Sequence, residues 1–174
     1  MKTIGLALVF LLVLFATAQA QADSDEFVRI RKSLRDKITK EMPGWSHRSI
    51  EPIEGSQGVI IQQWESGNIV VKIALTRYTN QAGAARALKE FKSQLRIEER
   101  ATTKNRKKEF HLIKEDLPNL GDEGFIVDVR GSEAVAFRKG PFIVNITIAR
   151  PEQSNDIYFS RKFAEHVASV LEPQ

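Results

Sequence analysis

Residues 120–149 read LGDEGFIVDVRGSEAVAFRKGPFIVNITIA, and this stretch decides the fold. Gly121 and Gly124 frame an acidic turn at Asp122 and Glu123. Phe125, Val127 and Val129 then alternate with Ile126, Asp128 and Arg130, the period of two that marks a half-buried strand. Gly131-Ser132 suits a tight hairpin turn. Val135 and Phe137 alternate with Ala134, Ala136 and Arg138, and Lys139-Gly140-Pro141 supplies a second reversal. Pro141 cannot donate a ladder hydrogen bond, so it belongs at the start of the third strand, Phe142 to Ala149. That strand is apolar at Phe142, Val144, Ile146 and Ile148, with Ile143, Asn145, Thr147 and Ala149 on its other face. The pattern predicts a three-stranded antiparallel meander whose mixed second face is partly covered by another element or by a ligand.

Working upstream, Phe110 to Glu115 is a short edge-strand candidate, and Leu117-Pro118-Asn119 leads into the meander. Gly58 to Glu65 and Ile69 to Tyr78 form a second hairpin around Ser66-Gly67-Asn68. A helix follows, capped by Thr79 or Asn80, with Ala84, Leu88, Phe91 and Leu95 on its apolar stripe and an end near Glu98. Trp45 to Ser56 has no period and reads as loop, with Trp45 a lid over one end of the core. Asp23 to Glu41 is an amphipathic helix, apolar at Phe27, Ile30, Leu34, Ile38 and Met42, and Pro43-Gly44 ends it. Downstream of the meander, Ser154 or Asn155 caps a last helix lined by Phe159, Phe163, Val167 and Val170.

Met1 to Ala20 reads as a signal peptide. Lys2 is the basic start, Ile4 to Ala16 is an uncharged apolar run, and Ala18-Gln19-Ala20 fits the small-x-small cleavage pattern. Cleavage falls after Ala20 or Ala22, and no cysteine follows to carry a thioether lipid. No later stretch is apolar enough to span a bilayer, so the processed chain is expected to be secreted or periplasmic. Residues 21–174 then suffice for one α+β domain that buries about two-thirds of its unfolded surface. With no cysteine, the fold rests on its core, without disulfides or thiolate metal sites. The formal net charge of +4, one unit lower once Lys2 is removed, does not by itself imply a polyanion partner.

The expected architecture is an antiparallel sheet of about five strands with helices packed on one face. Hairpin followed by helix occurs twice, at 58–98 and 124–172, so a doubled hairpin-helix unit is a structural expectation without sequence identity between the halves.

Leu120-Gly121-Asp122-Glu123-Gly124, an alternating hairpin, Phe137-Arg138-Lys139-Gly140, an apolar strand and a final helix together resemble small bacterial secreted or lipoprotein-like extracytoplasmic domains. Two departures are the missing lipobox cysteine and Pro141, where a polar turn residue is more usual. The resemblance covers residues 120–171. It implies a bacterial, extracytoplasmic, non-enzymatic domain and no site residues.

The chemistry in the chain is sparse. Asp122-Glu123 could serve as acid and base, with Asp128 nearby, as a carboxylate-dependent hydrolase or lyase would require. The competing reading is a turn in which Asp122 bonds backbone amides. The histidines, His47, His111 and His166, form no metal-binding pair, and His166 is expected to face solvent. There is no nucleophile elbow, phosphate-binding loop or dinucleotide fingerprint, and no cofactor is implied. The basic run Lys104, Arg106, Lys107 and Lys108 is a candidate anion-binding loop, and an electrostatic adaptor built on it is one alternative function. No aromatic residues are interleaved there, so nucleic acid is not expected. The leading expectation is an exported, non-enzymatic binding or accessory domain for a small molecule, lipid or protein partner. If it has a ligand site, the residues expected there are Trp64, Val70, Ala74, Asn145 and Thr147, on a sheet face turned away from the helices. For Trp64 with Ile60, core or satellite packing is the favoured role over lining a groove.

Overall fold

The computed structural model describes residues 24–48, 58–103, 113–129, 132–149 and 158–172. Within these, α1 (Ser24–Glu41) is followed by β1 (Ser46–Arg48), β2 (Val59–Ser66) and β3 (Ile69–Arg77). Then come α2 (Gln81–Thr103), β4 (Ile113–Asp116), β5 (Glu123–Val129), β6 (Ser132–Lys139), β7 (Phe142–Ala149) and α3 (Tyr158–Val170). The strands form one antiparallel sheet in the order β1-β2-β3-β7-β6-β5-β4.

The meander forms as its alternation dictates. Phe125 lies opposite Ala136 and Ala136 opposite Asn145, so one row of side chains crosses all three strands. The hairpin β2–β3 closes with Ser66 opposite Ile69, and Gly67 takes the positive φ its two-residue turn demands. Asn80 caps α2 by accepting the Gly83 amide on Oδ1 at 2.8 Å. The sheet has seven strands because two short edges, β1 and β4, extend it. β1 falls inside the stretch expected to be loop, and three residues are too few to show a period.

The helices lie on both faces of the sheet, not on one. Phe27, Ile30, Leu34 and Ile38 of α1 share a core with Phe163 and Val167 of α3 and with Ile60, Trp64, Val71, Ile73, Phe137, Val144 and Ile146 of the sheet. The alternate strand residues Phe125, Val127, Ala136 and Ile143 pack with Ala84, Ala87, Leu88 and Leu95 of α2. Side chains of opposite parity on a strand leave opposite faces, so α2 covers the face that α1 and α3 do not. The mixed second face of β7 is thus partly explained by α2. The doubled unit is corrected by the same fact. A two-fold axis exchanging the antiparallel neighbours β3 and β7 would keep the following helices on one face, and α2 and α3 lie on opposite faces.

Trp45 does act as a lid. It is half-buried and meets Phe163 edge-on at 4.9 Å between ring centroids and Phe159 at 5.3 Å. α2 runs to Thr103, beyond the expected end near Glu98. The caps expected at Ser154 or Asn155 lie outside the described residues.

Candidate functional site

The strand pairing divides the expected ligand-binding residues. Ala74 lies opposite Asn145, Lys72 opposite Thr147 and Val70 opposite Ala149, which puts Val70, Ala74, Asn145 and Thr147 on the face that α2 partly covers. Trp64 lies opposite Val71 and faces the other way. It is wholly buried, meets His47 edge-on at 5.0 Å between ring centroids and donates its indole N–H to Gln62 Oε1 at 3.3 Å. Gln62 in turn donates Nε2 to the Arg31 carbonyl at 3.0 Å, bolting β2 to the middle of α1. Trp64 is therefore a core residue and not a site residue. The sequence placed it one residue out of phase, because the weakly patterned strand β2 carries apolar groups at both parities.

On the α2 side of the sheet, helix cover is confined to the β5–β7 half. There Phe91 of α2 meets Phe125 at 5.9 Å, and the Lys92 ammonium lies 5.3 Å over the same ring. Toward β2 and β3, no described helix packs over the face. Its pairs form a row from Arg48 through Gln63 and Lys72 to Thr147, and a second from Ile61 through Ala74 to Asn145. Ala74 is buried, whereas Ile61, Gln63, Val70, Asn145 and Thr147 are half-exposed and Lys72 and Arg48 are exposed.

Glu65 organises the cations here. Its Oε1 accepts Gln63 Nε2 at 2.7 Å, and its Oε2 lies 3.2 Å from Arg48 Nε. That leaves Lys72 as the cation of this surface with no ion-pair partner among the described residues. An extended surface of aliphatic, amide, hydroxyl and ammonium groups offers both desolvation and directional bonds to a partner.

Asp122 is engaged, though with the β6–β7 turn and not with the neighbouring amides that the turn reading expects. Asp122 Oδ2 accepts Arg138 Nη1 at 2.6 Å and the Gly140 amide at 2.9 Å, while the Asp122 amide donates to the Arg138 carbonyl at 2.8 Å. Asp122 is thus occupied in fastening its loop to the β6–β7 turn. Glu123 lies at the start of β5, opposite Arg138. The Asp128 side chain, His111 and the basic run Lys104, Arg106, Lys107 and Lys108 lie outside the described residues. Among the described residues no group of three or more His, Cys, Asp or Glu is placed to hold a metal ion.

His166 does not face solvent. It is buried between α3 and α1, with Nδ1 3.0 Å from Glu41 Oε2. Burial pushes the imidazole below its ordinary value of 6.5, and the Glu41 carboxylate opposes this only in part. The helical period missed this position because Glu165 beside it is exposed and the buried stripe of α3 is broader than the apolar residues alone indicate.

No helix of the described residues is long and apolar enough to cross a membrane. No family model, no curated protein and no solved structure matches this chain.

Proposed function

We propose that this chain is an exported, non-enzymatic binding or accessory domain, related in kind to the bacterial extracytoplasmic modules its meander resembles. Its recognition surface is the β2–β3–β7 half of the α2 face. The observation that carries this reading is the row Arg48, Gln63, Lys72 and Thr147, polar and at least half-exposed on the part of the sheet over which no described helix packs. A protein partner fits this surface better than an enclosed small molecule, because small ligands are held in concave sites and a strand surface presents a broad face.

The test is site-specific photo-crosslinking from position 63 or 147, in the extracytoplasmic fraction of the source cells. A discrete adduct formed from these two positions, and not from position 86 on the outer side of α2, supports the reading. Equal or no adducts from all three positions would reject it.

A further inference from the structure

We infer that the outer face of α1 is a docking surface for an anionic phospholipid bilayer. The charge of the whole chain gives no reason to expect this, but its distribution does. α1 buries Phe27, Ile30, Leu34, Ile38 and Met42 and turns Val28, Arg29, Arg31, Lys32, Arg35 and Lys40 outward.

Two of the helix's bases are neutralised within it. Lys32 Nζ lies 2.8 Å from Asp36 Oδ2, and Lys37 Nζ lies 3.0 Å from Glu41 Oε1. Arg29, Arg31 and Lys40 have no ion-pair partner among the described residues, and Arg35 reaches Asp36 only at 3.9 Å. Of the acids exposed on α1, Asp36 and Glu41 are engaged in those pairs, which leaves Asp25 alone at the first turn.

Beside these cations stands Val28, 63% exposed and the one large apolar side chain so exposed among the described residues. The apolar face of α1 is spent on the core, so the attraction is electrostatic. Each base held near an anionic membrane surface contributes about 1 kcal/mol, roughly fivefold in binding, and Val28 is the apolar side chain among them. The outward cations complement anionic headgroups; that an exported chain meets such a bilayer rests on the export reading, whereas the charge pattern does not.

The experiment is co-sedimentation of the protein, recovered from the extracytoplasmic fraction, with vesicles of phosphatidylglycerol and phosphatidylcholine and with vesicles of phosphatidylcholine alone. Loss of the protein from that fraction would indict the export reading, and failure to sediment would indict this one. The expected result is sedimentation with the anionic vesicles only, weakened by raising salt from 50 to about 500 mM.

The variant Arg29→Gln/Arg31→Gln/Arg35→Gln/Lys40→Gln keeps good helix formers at exposed positions, so the helix is retained. Its partition coefficient should fall about 100-fold or more, since each base near an anionic surface contributes roughly a factor of five. Arg86→Gln/Lys89→Gln, on the outer side of α2, should change it less than about threefold. Equal binding to neutral vesicles, insensitivity to salt, or equal loss in the two variants would overturn the inference. So would equal retention by a soluble polyanion such as heparin.

Discussion

Asp122 and Arg138 lock the entry of the meander to its second turn: one Asp122 carboxylate oxygen takes the Arg138 guanidinium at 2.6 Å and the Gly140 amide at 2.9 Å. The adjacent Gly121 has φ +64, and a Cβ there would clash with the Arg138 carbonyl oxygen. Asp122→Ala should therefore lower stability by about 1–2 kcal/mol, the scale of charge-assisted bonds lost at a half-exposed site. Gly121→Ala should cost more, about 2–4 kcal/mol, from left-handed strain together with a clash against backbone. Urea denaturation at neutral pH measures both, and the reverse order of effects would refute this account of the turn.

Much of this architecture was legible in the sequence. The meander, the hairpin β2–β3 and the three apolar helical stripes follow from periods of 2 and 3.6, and Asn80 is one of the two caps foreseen for α2. The distribution of helices was not legible. A stripe such as Ala84, Leu88, Phe91 and Leu95 shows that α2 must be covered, but not by which face of the sheet. The cue lay in the strands, where Phe125, Val127 and Ile143 are as apolar as their neighbours of opposite parity, so both faces of the meander needed cover. Of the site, Val70, Ala74, Asn145 and Thr147 do share one face, while Trp64 does not, because a slip of one residue reverses every side chain of a strand. Lys72 and Gln63 carry no signal in the sequence that sets them apart from other polar strand residues.

Trp64 provides a direct contrast between core and site. Trp64→Ala should destabilise the domain by about 3–5 kcal/mol through the cavity and the loss of packing on Phe163, whose ring centroid lies 6.4 Å away. Thr147→Ser, on the opposite face, should cost less than about 1 kcal/mol. Thermal unfolding of the two variants distinguishes them.

The contact between His166 and Glu41 predicts a pH dependence. Burial lowers the folded pKa of His166 below 6.5, so as pH falls the unfolded chain takes up its proton first. Stability from this group is complete above 6.5 and is lost as pH falls below 6.5 and through the folded value. His47, lowered by burial and by nearby Arg35, acts with the same sign. Glu41, held below 4.5 chiefly by its hydrogen bond from Lys37, extends the loss into more acid solution. The urea midpoint should fall between pH 7.5 and 5.5, and His166→Gln should flatten part of that slope. A midpoint that rises toward pH 5.5 would contradict the assignment.

The edge strand β4 is gripped from both faces. Lys92 of α2 reaches Asp116 at 2.5 Å, and Arg161 of α3 pairs with Glu115. Charged side chains on a four-residue edge also discourage pairing with a second sheet. Exposed pairs of this kind contribute only about 0–1 kcal/mol each. Glu115→Lys/Asp116→Lys should therefore leave the global midpoint nearly unchanged while amide exchange in β4 accelerates about tenfold. Equal acceleration across β6 and β7 would show that the pairs support the whole sheet instead.

The measurement that bears most directly on the proposed binding surface is affinity capture from the extracytoplasmic fraction with the wild-type chain and with Lys72→Glu, compared at equal folded concentration. Lys72 is exposed on β3, so the substitution should change stability by less than about 0.5 kcal/mol. The account predicts a discrete partner or carried ligand retained by the wild-type chain and reduced at least tenfold by Lys72→Glu. Undiminished capture by Lys72→Glu would contradict it.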